Sequence, residues 1–227
     1  MSAVFLNVDG GELDDEPVAL YALAQLVNVA CGGHAGDAAS MGRVIDACKI
    51  HKTMIGAHPS YPDRANFGRV ALAMDEKALF ATVRDQCAWL AKEAKARGAV
   101  VEYAKPHGSL YHAANQDQLV ARATLGGVVD ALGEVTIIGP AEGYLSQATR
   151  ALGLTFAREG FADRGVQLDG SLVPRGQPGA LIHDSAIAAS RAQALLDRVD
   201  TICVHGDTPN AVAIARAVRG VLNAQAG

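Results

Sequence analysis

The chain of 227 residues has no apolar run approaching the roughly 20 residues that span a bilayer. Its first ten residues, MSAVFLNVDG, lack the basic start and long apolar stretch of a secretory signal. A cytoplasmic protein with no membrane partner is expected. Cysteine is scarce: Cys31, Cys48, Cys87 and Cys203 stand far apart with no CxxC pair, which argues against a zinc or redox site of that kind and for free thiols in a reducing compartment. No long block of one charge exists; charged residues make up 19% and the net charge is −4, so no basic face for nucleic acid is expected. Neither GxxxxGK[ST] nor a strand-borne GxGxxG occurs, which argues against P-loop and Rossmann modes of nucleotide binding.

What is present is alternation. Half of the residues are apolar, and the length fits one α/β domain over 1–227. Short runs rich in Val, Ile and Thr alternate with longer stretches of helical period, the pattern of βα units around a parallel sheet. Seven strands are expected, in AVFLNVD, LVNVACGGH, TMIGAHP, AVVEYAKPHG, EVTIIGP, LTFAREG and DTICVHGD. Met41, Val44, Ile45 and Cys48 mark one helix, with Asp37 placed to cap it. Asp75 begins a longer helix striped by Leu79, Val83, Cys87, Leu90 and Ala94 and stopped by Gly98. Ile214, Val218, Val221 and Leu222 share a face of the last helix, entered through GDTPN, where Asp207 or Thr208 can cap. The first connection, GGELDDEPVALYALAQ, is short for a full crossover helix. The Gly-, Pro- and Asp-rich stretch FADRGVQLDGSLVPRGQPGALIHD has the length of a functional lid.

In a closed βα barrel the loops after the strands converge on one face, so distant strand ends become neighbours. Here those ends carry Asn7 and Asp9, His34 and Asp37, His58, Lys105 and His107, Glu159, and His205 and Asp207. Only IIGPAEG lacks an ionisable group directly after its strand. Asp37 and Asp207 are equally explained as helix caps, and one histidine after a strand is ordinarily a hydrogen-bonding group. Four of them at one face point to a site. His51 and His112 read as surface or second-layer residues, and Cys31 as a small apolar residue packed at a strand end. Two chemistries stand open: acid–base work at a carbonyl or amide with lysine stabilising an anion, or His and Asp as ligands of a divalent metal that activates water. Arg69 and Arg175 are either carboxylate clamps or solvated surface arginines.

The stretches LNVDGGE, NVACGGHAGD, IGAHPSYPDRANFGR, KPHGSLYH, EGFADR, DGSLVPRGQPGALIHD and CVHGDTPNAV, in this order over nearly the whole chain, closely resemble the LamB/YcsF family, the A subunit of bacterial ATP-dependent 5-oxoprolinase. The resemblance implies an irregular seven-stranded βα, TIM-like barrel of the glycoside hydrolase/deacetylase type. It also implies cleavage of the lactam of 5-oxo-L-proline to L-glutamate, coupled to ATP and carried out with separate B and C subunits. Carried onto this sequence, Asp9, His34, Lys105, His107 and Glu159 are the catalytic candidates. Asn7, Glu12, Asp37, His58, Arg175, His205 and Asp207 are the substrate-binding ones, to which Arg69 is added as the other candidate carboxylate clamp. A divalent metal is left unassigned and a homo-oligomer left open. The chain departs from the family's usual DLNCDLGE in reading FLNVDGGE, with Val8 and Gly10 for cysteine and leucine, and it is shortened after that motif and before the last strand. Two rival readings are a stand-alone metal-dependent deacetylase or amidase, and a non-catalytic oxoproline-binding regulatory protein.

Overall fold

The structure, a computed structural model, describes residues 3–167 and 172–226. Among these, seven parallel strands form a closed barrel: β1 (Phe5–Gly10), β2 (Leu26–Ala30), β3 (Met54–His58), β4 (Tyr103–Ala104), β5 (Thr136–Gly139), β6 (Phe156–Phe161) and β7 (Thr201–Val204). They follow one another around the wall in chain order, and β1 closes it by pairing with both β2 and β7. Parallel neighbours cannot be joined by a tight hairpin, so helices carry the chain back outside: α1 (Ala19–Leu23), α2 (Ala38–His51), α3 (Glu76–Ala96), α4 (Gly108–Gln116), α5 (Gln118–Leu132), α6 (Tyr144–Ala151), α7 (Ser185–Leu195) and α8 (Ala211–Ala226). This is the expected TIM-like barrel. No helix among the described residues is long and apolar enough to cross a membrane.

Strand side chains alternate between the two faces of the wall. Leu6, Val8, Ile202 and Val204 belong to the shell under the helices, and the stripes of α2, α3 and α8 meet them there; Met41, Ile45, Leu79, Leu90 and Ile214 are fully buried. Inside the barrel Leu26, Tyr103 and Ile138, with Met54 and Ala157, form a small apolar plug. A Cβ added at Gly56 would fall 2.1 Å from the Tyr103 ring, so the glycine leaves the room that ring fills. Polar residues two positions further along, Asn28, Lys105 and Glu159, form the next layer together with Asn7, and all four are buried.

Several expected elements differ in extent. The run AVVEYAKPHG yields only two ladder residues: Pro106 has no N–H to continue the ladder, and Val100 is exposed where the chain climbs from α3 to the wall. β2 ends at Ala30 because the chain turns back at once, Gly32 N–H donating to Ala35 O at 2.8 Å. Gly36 serves that turn with a φ of +87°, and a Cβ there would strike Ala30 O at 2.2 Å. The first crossover is reduced to the five-residue α1. Asp207 and Thr208 do not act as the expected cap of α8: the Asp207 carboxylate is taken by arginines, and the Thr208 hydroxyl donates to Asp163 at 2.7 Å. In the lid stretch Arg164 bridges Leu181 and Val166 bridges Leu172; residues 168–171 lie outside the described residues.

Candidate active site

The inward positions of β1, β6 and β7 meet at one buried ammonium, supplied by the residue that follows β4. Lys105 Nζ lies 2.9 Å from Glu159 Oε1, 3.1 Å from Asp9 Oδ1, 3.2 Å from Asn7 Oδ1 and 3.2 Å from Cys203 Sγ. Asn28 donates to both Asn7 Oδ1 and Asp9 Oδ1 at 2.8 Å, and Asn7 Nδ2 donates to Glu159 Oε1 at 3.0 Å and to the Thr201 hydroxyl at 2.9 Å. Burial opposes charge on these groups, yet the pairing wins. The Lys105 pKa lies well above the usual lysine value because Asp9 and Glu159 outweigh desolvation, and Asp9 lies well below the usual carboxylate value because, chiefly, Lys105 outweighs it there.

Beside this cluster, the end of β3 and the loops after β1, β2 and β4 bring His58, Glu12, His34 and His107 together. His34 Nε2 is 2.8 Å from Glu12 Oε1, His107 Nδ1 is 3.3 Å from it, and His58 Nε2 is 3.9 Å from it. The facing nitrogens His58 Nε2 and His107 Nδ1 are 3.1 Å apart, and the His34 and His107 rings stack at 3.6 Å between centroids. Burial pushes His34 and His107 well below the usual histidine pKa and pushes the Glu12 carboxyl up. One potential ligand atom from each of these four residues lies within 4.8 Å of the others, and the same holds for Asp9, Cys203 and His205.

A third group faces the opening. His205 Nδ1 is 3.0 Å from Asp163 Oδ1, its backbone N–H donates to Asp163 Oδ2, and its Nε2 lies 4.0 Å from Asp9 Oδ2. Burial would lower the His205 pKa, but Asp163 holds it above the usual value. Phe161 lies nearly parallel to the imidazole at 5.7 Å. At the rim, Asp207 Oδ2 accepts from Arg69 at 2.5 Å and from Arg175 at 2.8 Å.

These groups border a cavity of about 500 Å³ lined by Asp9, His58, Lys105, His107, His205, Arg69 and Arg175, with Leu172, Val173 and Pro174 of the lid stretch at its side. Asn7 and Glu159 are brought into the network beneath it and Glu12 and His34 into the histidine group beside it. Asp37 is placed elsewhere. Its exposed carboxylate accepts from Ser40 N–H at 2.8 Å in a reciprocal capping box on α2, so its chemistry is spent on the helix start. His112, read from sequence as peripheral, borders the cavity, whereas His51 is exposed on α2. Cys31 is buried at the end of β2, with its thiol pushed up to about 12 by burial.

Sequence reasoning passed over Asn28, Asp163, Phe161 and Cys203 as site residues. Their signal was alternation: Phe161 stands two residues after Glu159, Cys203 two before His205, and Asn28 interrupts an otherwise apolar LVNVA.

A closed seven-stranded barrel with a buried lysine, carboxylates and histidines at one mouth is an α/β TIM-like barrel similar to deacetylase-type folds. Residues 11–227 match the model of the LamB/YcsF family, and the chain belongs to that family. A lactam utilization protein from Thermus thermophilus is 31% identical, with a TM-score of 0.90 over 100% of this chain and 98% of that one. A family 4 carbohydrate esterase from Streptomyces lividans, solved with acetate, is 14% identical with a TM-score of 0.51, covering 99% of this chain and 89% of its own. The second likeness is one of fold.

Proposed function

We propose that this chain is a lactam-opening hydrolase: the A subunit of an ATP-dependent 5-oxoprolinase, which converts 5-oxo-L-proline to L-glutamate with separate B and C subunits. Membership of the LamB/YcsF family and the likeness to a lactam utilization protein support the substrate class. The observation that carries the reading is Lys105, a buried ammonium fixed between Asp9 and Glu159 on the wall of a cavity whose rim holds Arg69 and Arg175.

Opening a lactam requires water to add to the carbonyl carbon, negative charge to collect on the carbonyl oxygen, and the ring nitrogen to leave with a proton. Asp9, held charged, takes the proton from water. Lys105 balances the oxyanion in a site where a fixed charge acts with little screening. His205, whose pKa Asp163 raises, returns a proton to the departing nitrogen. Arg69 and Arg175 receive the substrate carboxylate by exchange with Asp207. Glu159 lies beneath Lys105 and acts by positioning it. A five-membered lactam is a stable amide, so activation of its carbonyl by ATP is chemically reasonable, and the missing phosphate-loop motifs agree with nucleotide handling by the B and C subunits.

Co-expression with B and C subunits should give glutamate release that requires ATP, and Asp9→Asn should lower its rate by at least about 100-fold. Full rate in that variant removes Asp9 from the chemistry. The histidine and glutamate group favours a second reading, a stand-alone metal-dependent amidase, which the same assay separates: its activity needs neither ATP nor partners and is abolished by a chelator.

A further inference from the structure

Hydrogen bonding fixes which nitrogens of His58 and His107 carry protons. His58 Nδ1 lies 2.7 Å from Lys105 O, and His107 Nε2 lies 2.9 Å from Phe67 O. A backbone carbonyl only accepts, so both of those nitrogens bear hydrogen. In the neutral rings that leaves His58 Nε2 and His107 Nδ1 as lone pairs. They face each other across 3.1 Å, with Glu12 Oε1 3.3 Å from one and 3.9 Å from the other. Three acceptors therefore converge on one another inside the protein, and a fourth, Asp9 Oδ1, stands 3.4 Å from His58 Nε2 with its charge already balanced by Lys105 at 3.1 Å. A single proton between them relieves one contact only, whereas a cation accepts all three.

We propose that His58 Nε2, His107 Nδ1 and the Glu12 carboxylate bind one divalent transition-metal ion of the zinc class. Ligands at about 2.0–2.1 Å in tetrahedral array lie roughly 3.3 Å apart, and the observed separations bracket that value. Each imidazole is already oriented by a carbonyl behind it, the arrangement that sets tautomer and aim in metal-binding histidines. His58 and His107 border the cavity, which supplies a path of entry and room for a remaining ligand. Two histidines and one carboxylate with an open position form a donor set suited to activating water. His34 is not a ligand in this assignment. Its ring lies parallel to His107, 5° between planes, so its in-plane lone pair runs beside its neighbour's and does not meet it. It contacts Glu12 through Nε2 and orients that carboxylate. The other cluster, Asp9 with Cys203 and His205, already has a cation at its centre, Lys105 Nζ, within 3.2 Å of both Asp9 and Cys203.

The test measures binding and requires no turnover. The purified chain, stripped with chelator and dialysed against Zn²⁺ or Co²⁺, should retain one ion per chain, and the Co²⁺ form should show the visible absorption of a low-coordinate site. Glu12→Gln and His107→Ala should each weaken binding by at least about 100-fold, beyond the usual loss from removing an outer partner. His34→Phe, which keeps the stacked ring, should stay within about tenfold of the native chain, below that range. Since a truncated ring can unfold the barrel, imidazole ¹⁵N spectra of the unaltered protein provide the second readout. Zn²⁺ should shift His58 Nε2 and His107 Nδ1 and leave His51 in place. Retention of only trace metal, unmoved imidazole signals, or Glu12→Gln binding as tightly as the native chain would overturn the assignment, whatever the outcome of the oxoprolinase assay.

Discussion

At the scale of single residues, Lys105 has more acceptors around it than protons to give. Three ammonium hydrogens serve Glu159, Asp9, Asn7 and Cys203, so the lysine is held from every side with no rotamer freedom left to lose on binding. Removing the cation strands two carboxylates in the barrel. Lys105→Met should therefore cost about 3–5 kcal/mol of stability, the range for breaking one side of a buried pair. Urea unfolding checks this, and Lys105→Met combined with Glu159→Gln should recover part of the loss. A full and independent penalty from each change would show that the two do not interact. The ionisable strand ends were legible in the sequence because Asp, His and Lys beside a buried strand demand an explanation. Cys203 was not, since a thiol reads as a small apolar residue until the alternation of β7 turns it inward. Nor was Asp37 separable in advance: a carboxylate before a helix is both a plausible ligand and a good cap, and only the Ser40 contact decides between them.

At the scale of elements, the seven strands and the stripes of α2, α3 and α8 follow from period and capping. The barrel's interior does not. Tyr103 looks like one more β-favouring aromatic, yet its ring fills the plug opposite Gly56, and nothing in the local pattern links residues 47 positions apart. Gly56→Ala should lower stability by about 1–3 kcal/mol or more through overpacking. Thermal or urea unfolding of Gly56→Ala beside Gly56→Ala with Tyr103→Leu measures it: the smaller partner should restore much of the loss, and strict additivity would contradict the packing account. The connection between β3 and α3 was likewise opaque. It supplies the Phe67 carbonyl that orients His107, a contact made by backbone and so invisible to any reading of side-chain types.

At the scale of the whole molecule, the depressed carboxylates Asp9, Asp163 and Asp207 tie stability to pH. For each, burial opposes ionisation but cationic partners prevail: chiefly Lys105 for Asp9, His205 for Asp163 and Arg175 for Asp207. Between the folded and unfolded pKa values the unfolded chain binds more protons, so stability rises with pH in that window. Their contribution is complete above the unfolded value, about 3.9, and is lost as pH falls through the folded ones. Urea midpoints should thus drop on acidification below about pH 4, and Asp163→Asn should flatten the slope there; a slope unchanged by that substitution would exclude Asp163 as a contributor.

One oxygen atom, Asp207 Oδ2, joins the chain after β7 to Arg69 from the connection after β3 and to Arg175 from the stretch after β6. Three segments remote in sequence are thereby laced through a single knot, and in the proposed function an incoming carboxylate loosens it before being seated. In that proposal the knot governs admission and not bond cleavage. Asp207→Asn should change KM while kcat holds in steady-state assays of the assembled enzyme, and a fall in kcat alone would mean that the lacing reaches down to the reacting atoms.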